Sequence, residues 1–155
     1  MAIDAIDQRI LDALTEQGRL PVVELAERVG LSPTPCRRRI AALEEAGIIA
    51  RYAAVIDPAR AGYPVTAFVS VELERQESDS LALFERRVLD CEEVVQGFLM
   101  TGSQDFLLRV VVEDLHAFER FLQEKLTRIP GIRSIRSRFA LRQFVQRTRL
   151  PAAQT

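Results

Sequence analysis

Residues 30–47 read GLSPTPCRRRIAALEEAG. Two prolines and three consecutive arginines open what ends as a helix. The placement resolves the conflict. With Ser32 as N-cap, Pro33 falls at N1, Thr34 at N2 and Pro35 at N3. The first N–H groups of a helix have no internal partner, so proline costs no hydrogen bond there and pre-sets φ. The Ser32 hydroxyl is expected to accept from the Thr34 N–H. At about 100° per residue, Cys36, Ile40 and Leu43 form one apolar stripe. Thr34, Arg38, Ala41, Ala42 and Glu45 face the other way, with Arg37 and Arg39 flanking the stripe.

The flanking segments frame this helix with two more. DAIDQRILDALTEQG (4–18) sets Ile6, Ile10, Leu11 and Leu14 at helical spacing, with Asp4 as N-cap and Gly18 as stop. LPVVELAERVG (20–30) sets Val22, Leu25, Ala26 and Val29 on one face, between Pro21 and Gly30. Helices this short are not stable alone and must share a core. Gly30-Leu31 has the length of a helix-turn-helix turn. Small outward residues let a helix lie deep in a groove, and arginines reach phosphates or guanine edges. A solvated basic face on a structural helical hairpin satisfies the same spacing.

Beyond Gly47 the period changes. IIARYAAVIDP (48–58) reads as an extended segment or small wing, and DPARAGYP (57–64) as a linker with turn chemistry at both ends. From residue 65 the order is strand, helix, strand, strand, helix, strand. VTAFVSVEL (65–73) alternates, with Val65, Ala67, Val69, Val71 and Leu73 on one face. SDSLALFERRVLD (78–90) carries Leu81, Phe84 and Val88 in helical phase. EVVQGFLMT (93–101) and DFLLRVVV (105–112) are strands joined by a tight GSQ. DLHAFERFLQEKLTRIPG (114–131) is a helix with Leu115, Phe118, Leu122 and Leu126 in phase. IRSIRSRFALRQFV (132–145) is the last strand. The fold class expected is α+β: a helix-turn-helix domain of winged type (1–52), a linker (53–64), a ferredoxin-like βαββαβ domain (65–147) and a tail (148–155). Two helices cover one face of a four-stranded sheet. The other face, with Phe68 and the arginines of the last strand, is expected to pair with a second copy.

Composition limits the functions. The chain has 155 residues and a net charge of −1, so an anionic partner is met at local patches. Of 21 basic residues, all but Lys125 are arginine, and residues 128–149 hold seven arginines and no acid. No segment is apolar for the 18–20 residues or so that a membrane span needs, and the N-terminus lacks a basic leader. A cytoplasmic protein with no membrane partner is expected. Cys36 and Cys91 belong to no CxxC pair and read as reduced, buried thiols. The single histidine, His116, has no Cys or Ser constellation near it, and no phosphate loop is present. No enzyme activity, metal or cofactor is expected.

The stretch DQRILDALTEQGRLPVVELAERVGLSPTPCRRRIAALEEAGIIARYAAVIDPARAG (7–62) resembles the N-terminal domain of the Lrp/AsnC family, the feast/famine transcriptional regulators. VGLSPTPC (29–36) is similar to the start of that family's recognition helix. MTGSQDFLLRV (100–110) resembles its GxxDY-type turn between two strands, and IPGI (129–132) the segment before its last strand. The resemblance covers about residues 3–146. It implies a DNA-binding regulator that dimerises, assembles further, often to octamers, and responds to an amino acid or related metabolite. Carried over, Ser32, Thr34, Arg37, Arg38 and Arg39 fall on the recognition helix and Arg51 in the wing-like segment. Arg39 has a second reading, as a structural partner for a carboxylate. The effector site falls on Met100, Thr101, Gly102, Ser103 and Asp105, with Ser137 and Arg138 on the last strand. Asp105 would receive an α-amino group, and N–H groups near Gly102 an α-carboxylate. Phe106 stands where the family usually has Tyr, and Ile135 and Ser137 where it often has a Thr-x-Thr pattern, which argues against a leucine-type effector. Two other readings remain open at this point: an architectural DNA organiser without an effector, and an amino-acid sensor acting on a protein partner.

Overall fold

The computed structural model describes residues 2–151, so the last four residues of the expected tail lie outside it. The chain forms two compact units. Among the described residues, one comprises 2–55 with 144–151, and the other 56–143.

The first unit packs α1 (Ala5–Glu16), α2 (Val22–Val29) and α3 (Pro33–Glu45). Its core is Ile10, Ala13, Leu20, Leu25, Ala26, Val29, Cys36 and Leu43, all buried, with Ile6, Leu11, Leu14, Val22 and Ile40 packed against them. The apolar stripes expected of the three helices therefore meet. Asp4 caps α1: its carboxylate accepts from the N–H groups of Ile6 and Asp7, and the Asp7 side chain accepts in return from the Asp4 N–H. This reciprocal box satisfies orphan donors of the first turn. Gly30 ends α2 at φ 74°, a left-handed position that favours glycine.

Two local expectations need correction. Ser32 has N-cap backbone geometry and its carbonyl accepts from the Cys36 N–H at 3.3 Å, but its hydroxyl makes no capping bond. Prolines at N1 and N3 already remove two of the orphan donors, so little is left to cap. Residues 51–57 form neither helix nor strand, so the small wing weighed for 48–58 carries no strand there. The C-terminal stretch joins this unit: the Thr148 hydroxyl donates to the Thr15 carbonyl at 3.0 Å, and Arg149 pairs with Asp12 at 2.5 Å.

The second unit is a four-stranded antiparallel sheet in the order β2-β3-β1-β4, with β1 Val65–Leu73, β2 Val94–Leu99, β3 Phe106–Val112 and β4 Ile132–Phe139. Helix α4 (Ser78–Leu89) and α5 (Leu115–Arg120) supply the crossovers. This is the ferredoxin-like arrangement. Ala67, Val69, Val71 and Leu73 of β1 are buried with Phe84 of α4, Leu108 and Val110 of β3, and Phe118 and Phe121. The Phe84 and Phe106 rings stack at 4.4 Å.

The second crossover is not one regular helix. After Arg120 it widens into a π-helical turn over Phe121–Lys125 and closes in a 3₁₀ turn over Leu126–Arg128. The five-residue step puts Phe121 and Leu126 both in the core, while Leu115, expected in phase, is exposed. The last strand ends at Phe139 rather than Val145. Its final rung is Ala140 N–H to Thr66 carbonyl at 2.9 Å, and β1 offers nothing further because Pro64 precedes its first residue.

Candidate DNA-binding face and effector turn

Helix α3 presents its three arginines in three directions. Arg38 points away from the core, and Arg37 is also exposed; neither has an ion-pair or hydrogen-bond partner among the described residues. Arg39 differs. Its Nη1 donates to Asp4 Oδ2 and to Asp7 Oδ1, each at 2.8 Å. Asp7 is 3% exposed, so the acceptor lies inside the unit. The two carboxylates push the Arg39 pKa above its ordinary value. In turn, the Asp7 N–H first and Arg39 second hold Asp4 below the usual carboxylate range. Arg39 therefore fastens α3 to the N-terminus of α1.

Around the free arginines the helix is short-chained. Ser32, Thr34 and Ala41 are exposed, and Ala42 is half-buried. Arg51 is exposed on the irregular segment beyond α3. Next to it, the Tyr52 hydroxyl donates to Glu44 Oε1 at 2.8 Å, tying that segment back to the end of α3. Partial burial, then the hydrogen bond to the Glu44 carboxylate, push the Tyr52 phenol up to about 12. Burial likewise raises the thiol of Cys36 in the α3 core stripe.

In the second unit, Met100–Asp105 is the β2–β3 connection. The Met100 N–H donates to the Asp105 carbonyl at 2.7 Å, closing the hairpin. Gly102 adopts φ 110°, which an L side chain rarely takes. Met100, Thr101, Gly102 and Ser103 are exposed, whereas Asp105 is buried. The Asp105 N–H donates to the Val71 carbonyl at 3.0 Å, and its Oδ2 accepts from the Leu73 N–H at 2.7 Å. The β1–β4 register shifts between Glu72 and Leu73. On the other edge of β1 the β3 ladder ends at Val71 opposite Phe106, so the Asp105 side chain supplies the acceptor that the Leu73 N–H would otherwise lack. One Asp105 oxygen is thus committed to holding the turn against β1.

Ser137 and Arg138 are not drawn to this turn within one chain. Ser137 pairs with Val69 and Arg138 with Phe68, so adjacent residues lie on opposite faces of the sheet. The β4 residues level with the turn are Ser134, opposite Glu72, and Ile135, opposite Val71. Ser134 donates to Glu72 at 3.1 Å.

Two elements escaped the sequence reading. The Asp4-x-x-Asp7 spacing is itself a capping signal, but that its second carboxylate would meet Arg39 depends on tertiary packing. Arg109 on β3 lies beside Phe68, opposite it in the ladder. Alternation in DFLLRVVV marks its face and not its neighbours.

Comparison with known proteins agrees with this anatomy. Residues 66–150 match the Lrp/AsnC ligand binding domain, and residues 3–50 match a winged helix-turn-helix DNA-binding domain. The chain is 47% identical over 149 residues to the Bkd operon transcriptional regulator of Pseudomonas aeruginosa, covering 96% of this chain and 97% of that one. It is 37% identical to the leucine-responsive regulatory protein of Escherichia coli, over 96% of this chain and 90% of that one. Among solved structures, a transcriptional regulator from Neisseria meningitidis in complex with L-methionine superposes with a TM-score of 0.91 at 39% identity, covering 97% of each chain. The AsnC protein of Escherichia coli superposes with a TM-score of 0.87 at 27% identity, over 96% of this chain and 98% of that one. No helix among the described residues is long and apolar enough to cross a membrane. With a helix-turn-helix unit that leaves two arginines free on α3, and an antiparallel sheet unit that matches the ligand binding domain, the chain belongs to the Lrp/AsnC family of transcriptional regulators.

Proposed function

We propose that this regulator reads DNA with α3, as a homodimer that assembles further, and that an amino acid or related metabolite tunes it at the Met100–Asp105 turn. The observation that carries the DNA half is the division of labour among the arginines. Arg37 and Arg38 are exposed and unpaired among the described residues, while Arg39 is fixed to Asp4 and Asp7. Arg38 reads base edges, Arg37 and Arg51 hold phosphates, Ser32 and Thr34 line the groove, and Arg39 positions the helix. The relative bound to L-methionine supports an amino-acid effector. Asp105, held by Leu73, offers its remaining valence to an amino group, and the exposed N–H groups at Gly102 meet a carboxylate. Ser137 is left to contribute to this site from a neighbouring copy, whereas Arg138 lies on the open sheet face beside Phe68, apart from it.

Dimerisation uses the sheet face that the helices leave open. Phe68 and Phe98 project from it, exposed. Two recognition helices in such a dimer engage half-sites about 34–36 Å apart, or a multiple of this, so the operator is pseudo-palindromic. The test is a gel-shift titration at fixed salt with wild type and Arg38→Ala, repeated with a panel of amino acids. Arg38→Ala is expected to weaken specific binding by roughly 1–3 kcal/mol. At least one amino acid is expected to shift the wild-type curve. Equal affinity for the variant removes Arg38 from the interface, and flat responses across the panel and across amino-acid catabolites remove the effector.

A further inference from the structure

The open face of the sheet is not simply apolar. Phe68 on β1 lies directly between Arg109 on β3 and Arg138 on β4. One rung along, Ser70 lies between Leu107 and Arg136. Directly paired residues share a face, so Arg109, Arg136 and Arg138 form a triangle around Phe68. Two strand spacings separate the Cα atoms of Arg109 and Arg138, about 10 Å, and Arg136 is about 7 Å along β4 from Arg138. None of the three has an ion-pair or hydrogen-bond partner among the described residues. The sole carboxylate on this face among the described strand residues is Glu72, and it is occupied by Arg133 at 3.3 Å and by Ser134.

We infer that this triangle binds a compact multivalent oxyanion, a phosphate or a dicarboxylate, which is held between two stacked copies of the sheet. The inference rests on the dimer reading above. Two faces packed about 10 Å apart would enclose three guanidinium groups from each chain in a layer with little water. Arginine does not escape by losing its proton, and unpaired buried charge opposes association. The apolar residues beside it, Phe68, Phe98 and Leu107, favour the same association. Planar guanidinium forks pair bidentately with carboxylate and phosphate oxygens, which resolves the conflict. A lysine triangle would serve less well, and this face carries arginine at all three positions.

The experiment is sedimentation equilibrium of the full chain in chloride, in sodium phosphate and in disodium succinate at equal ionic strength and pH. An anion present at ten times its dissociation constant for one site per dimer tightens dimerisation about tenfold. That gain is expected in phosphate or succinate, whichever the site prefers, and not in chloride. It is expected to vanish in Arg109→Gln and to survive in part in Arg109→Lys, which keeps the charge and loses the fork. Thermal unfolding of each variant in chloride verifies folding. A dimer with no anion response, or a response equal in wild type and Arg109→Gln, overturns the anion site and leaves the dimer standing. A monomer in every buffer overturns the stacked-sheet reading itself.

Discussion

Arg39 on α3 and Asp7 on α1 meet at 2.8 Å, and the aspartate end of that bond is buried. The same Asp7 carboxylate accepts from the Asp4 N–H, so one side chain closes the capping box and anchors the helix proposed to read DNA. Removing it leaves the Asp4 N–H without its acceptor and the guanidinium with the exposed Asp4 carboxylate alone. Asp7→Ala is expected to destabilise the N-terminal unit by about 1–3 kcal/mol. The thermal midpoint and the DNA affinity should fall together. A variant with unchanged melting, followed by calorimetry, would show that Arg39 does not depend on this anchor.

The clamp also has a pH signature. Asp4 is held below its ordinary value of 3.8, first by the Asp7 N–H and then by Arg39. A depressed carboxylate stabilises the fold above the unfolded-state pKa, and this contribution is lost as pH falls through the lower folded-state value. Wild type and Asp4→Asn are therefore expected to differ most near neutral pH and to converge at the acid end of a stability-versus-pH series. A constant gap down to the acid limit would assign the Asp4 effect to something other than its charge.

Arg37 and Arg38 should separate in a salt series. A phosphate contact contributes about one unit to the slope of log affinity against log salt, near 0.9 per phosphate on duplex DNA, and acts equally on all sequences. A base contact discriminates between sequences. Arg37→Ala is expected to flatten the slope while preserving operator preference, and Arg38→Ala to erode the preference. Measurement is by fluorescence anisotropy on operator and scrambled duplexes at several salt concentrations. Identical behaviour of the two variants would remove the distinction drawn from the helical wheel.

Much of this arrangement was legible in the residues because its determinants are local. Pro33 and Pro35 at the start of α3, the stripe Cys36–Ile40–Leu43, and the alternation of 65–73 each fix an element without reference to the rest. What was not legible depends on meetings between distant segments. PTPCRRR left Arg39 open between DNA and a carboxylate, and nothing in it names Asp7, some thirty residues away, as that carboxylate. Nothing in the heptad-like spacing of 114–131 forces the π turn that brings Phe121 inward. Ser137 and Arg138 were grouped with the effector turn by resemblance. The register places them two strands from it and on opposite faces from each other. The limit of β4 was set by Pro64 and the start of β1, not by its own sequence.

Asp105 carries two roles that conservative substitutions can divide. Its carboxylate accepts from the Leu73 N–H at 2.7 Å in a buried setting, and its charge is the part proposed to meet an amino group. Asp105→Ala deletes both. It leaves a buried N–H without its acceptor, which costs about 1–3 kcal/mol, and the effector response goes with it. Asp105→Asn keeps an oxygen acceptor at the same reach and discards the charge. The asparagine variant is therefore expected to melt close to wild type, bind operator DNA normally, and lose its response to the amino acid that shifts wild type. Thermal shift with and without that amino acid, alongside the gel-shift titration, reads all three. Retention of the full response in Asp105→Asn would move the amino-group contact elsewhere and leave Asp105 a structural residue of the turn, holding β3 to β1 just past their last ladder pair.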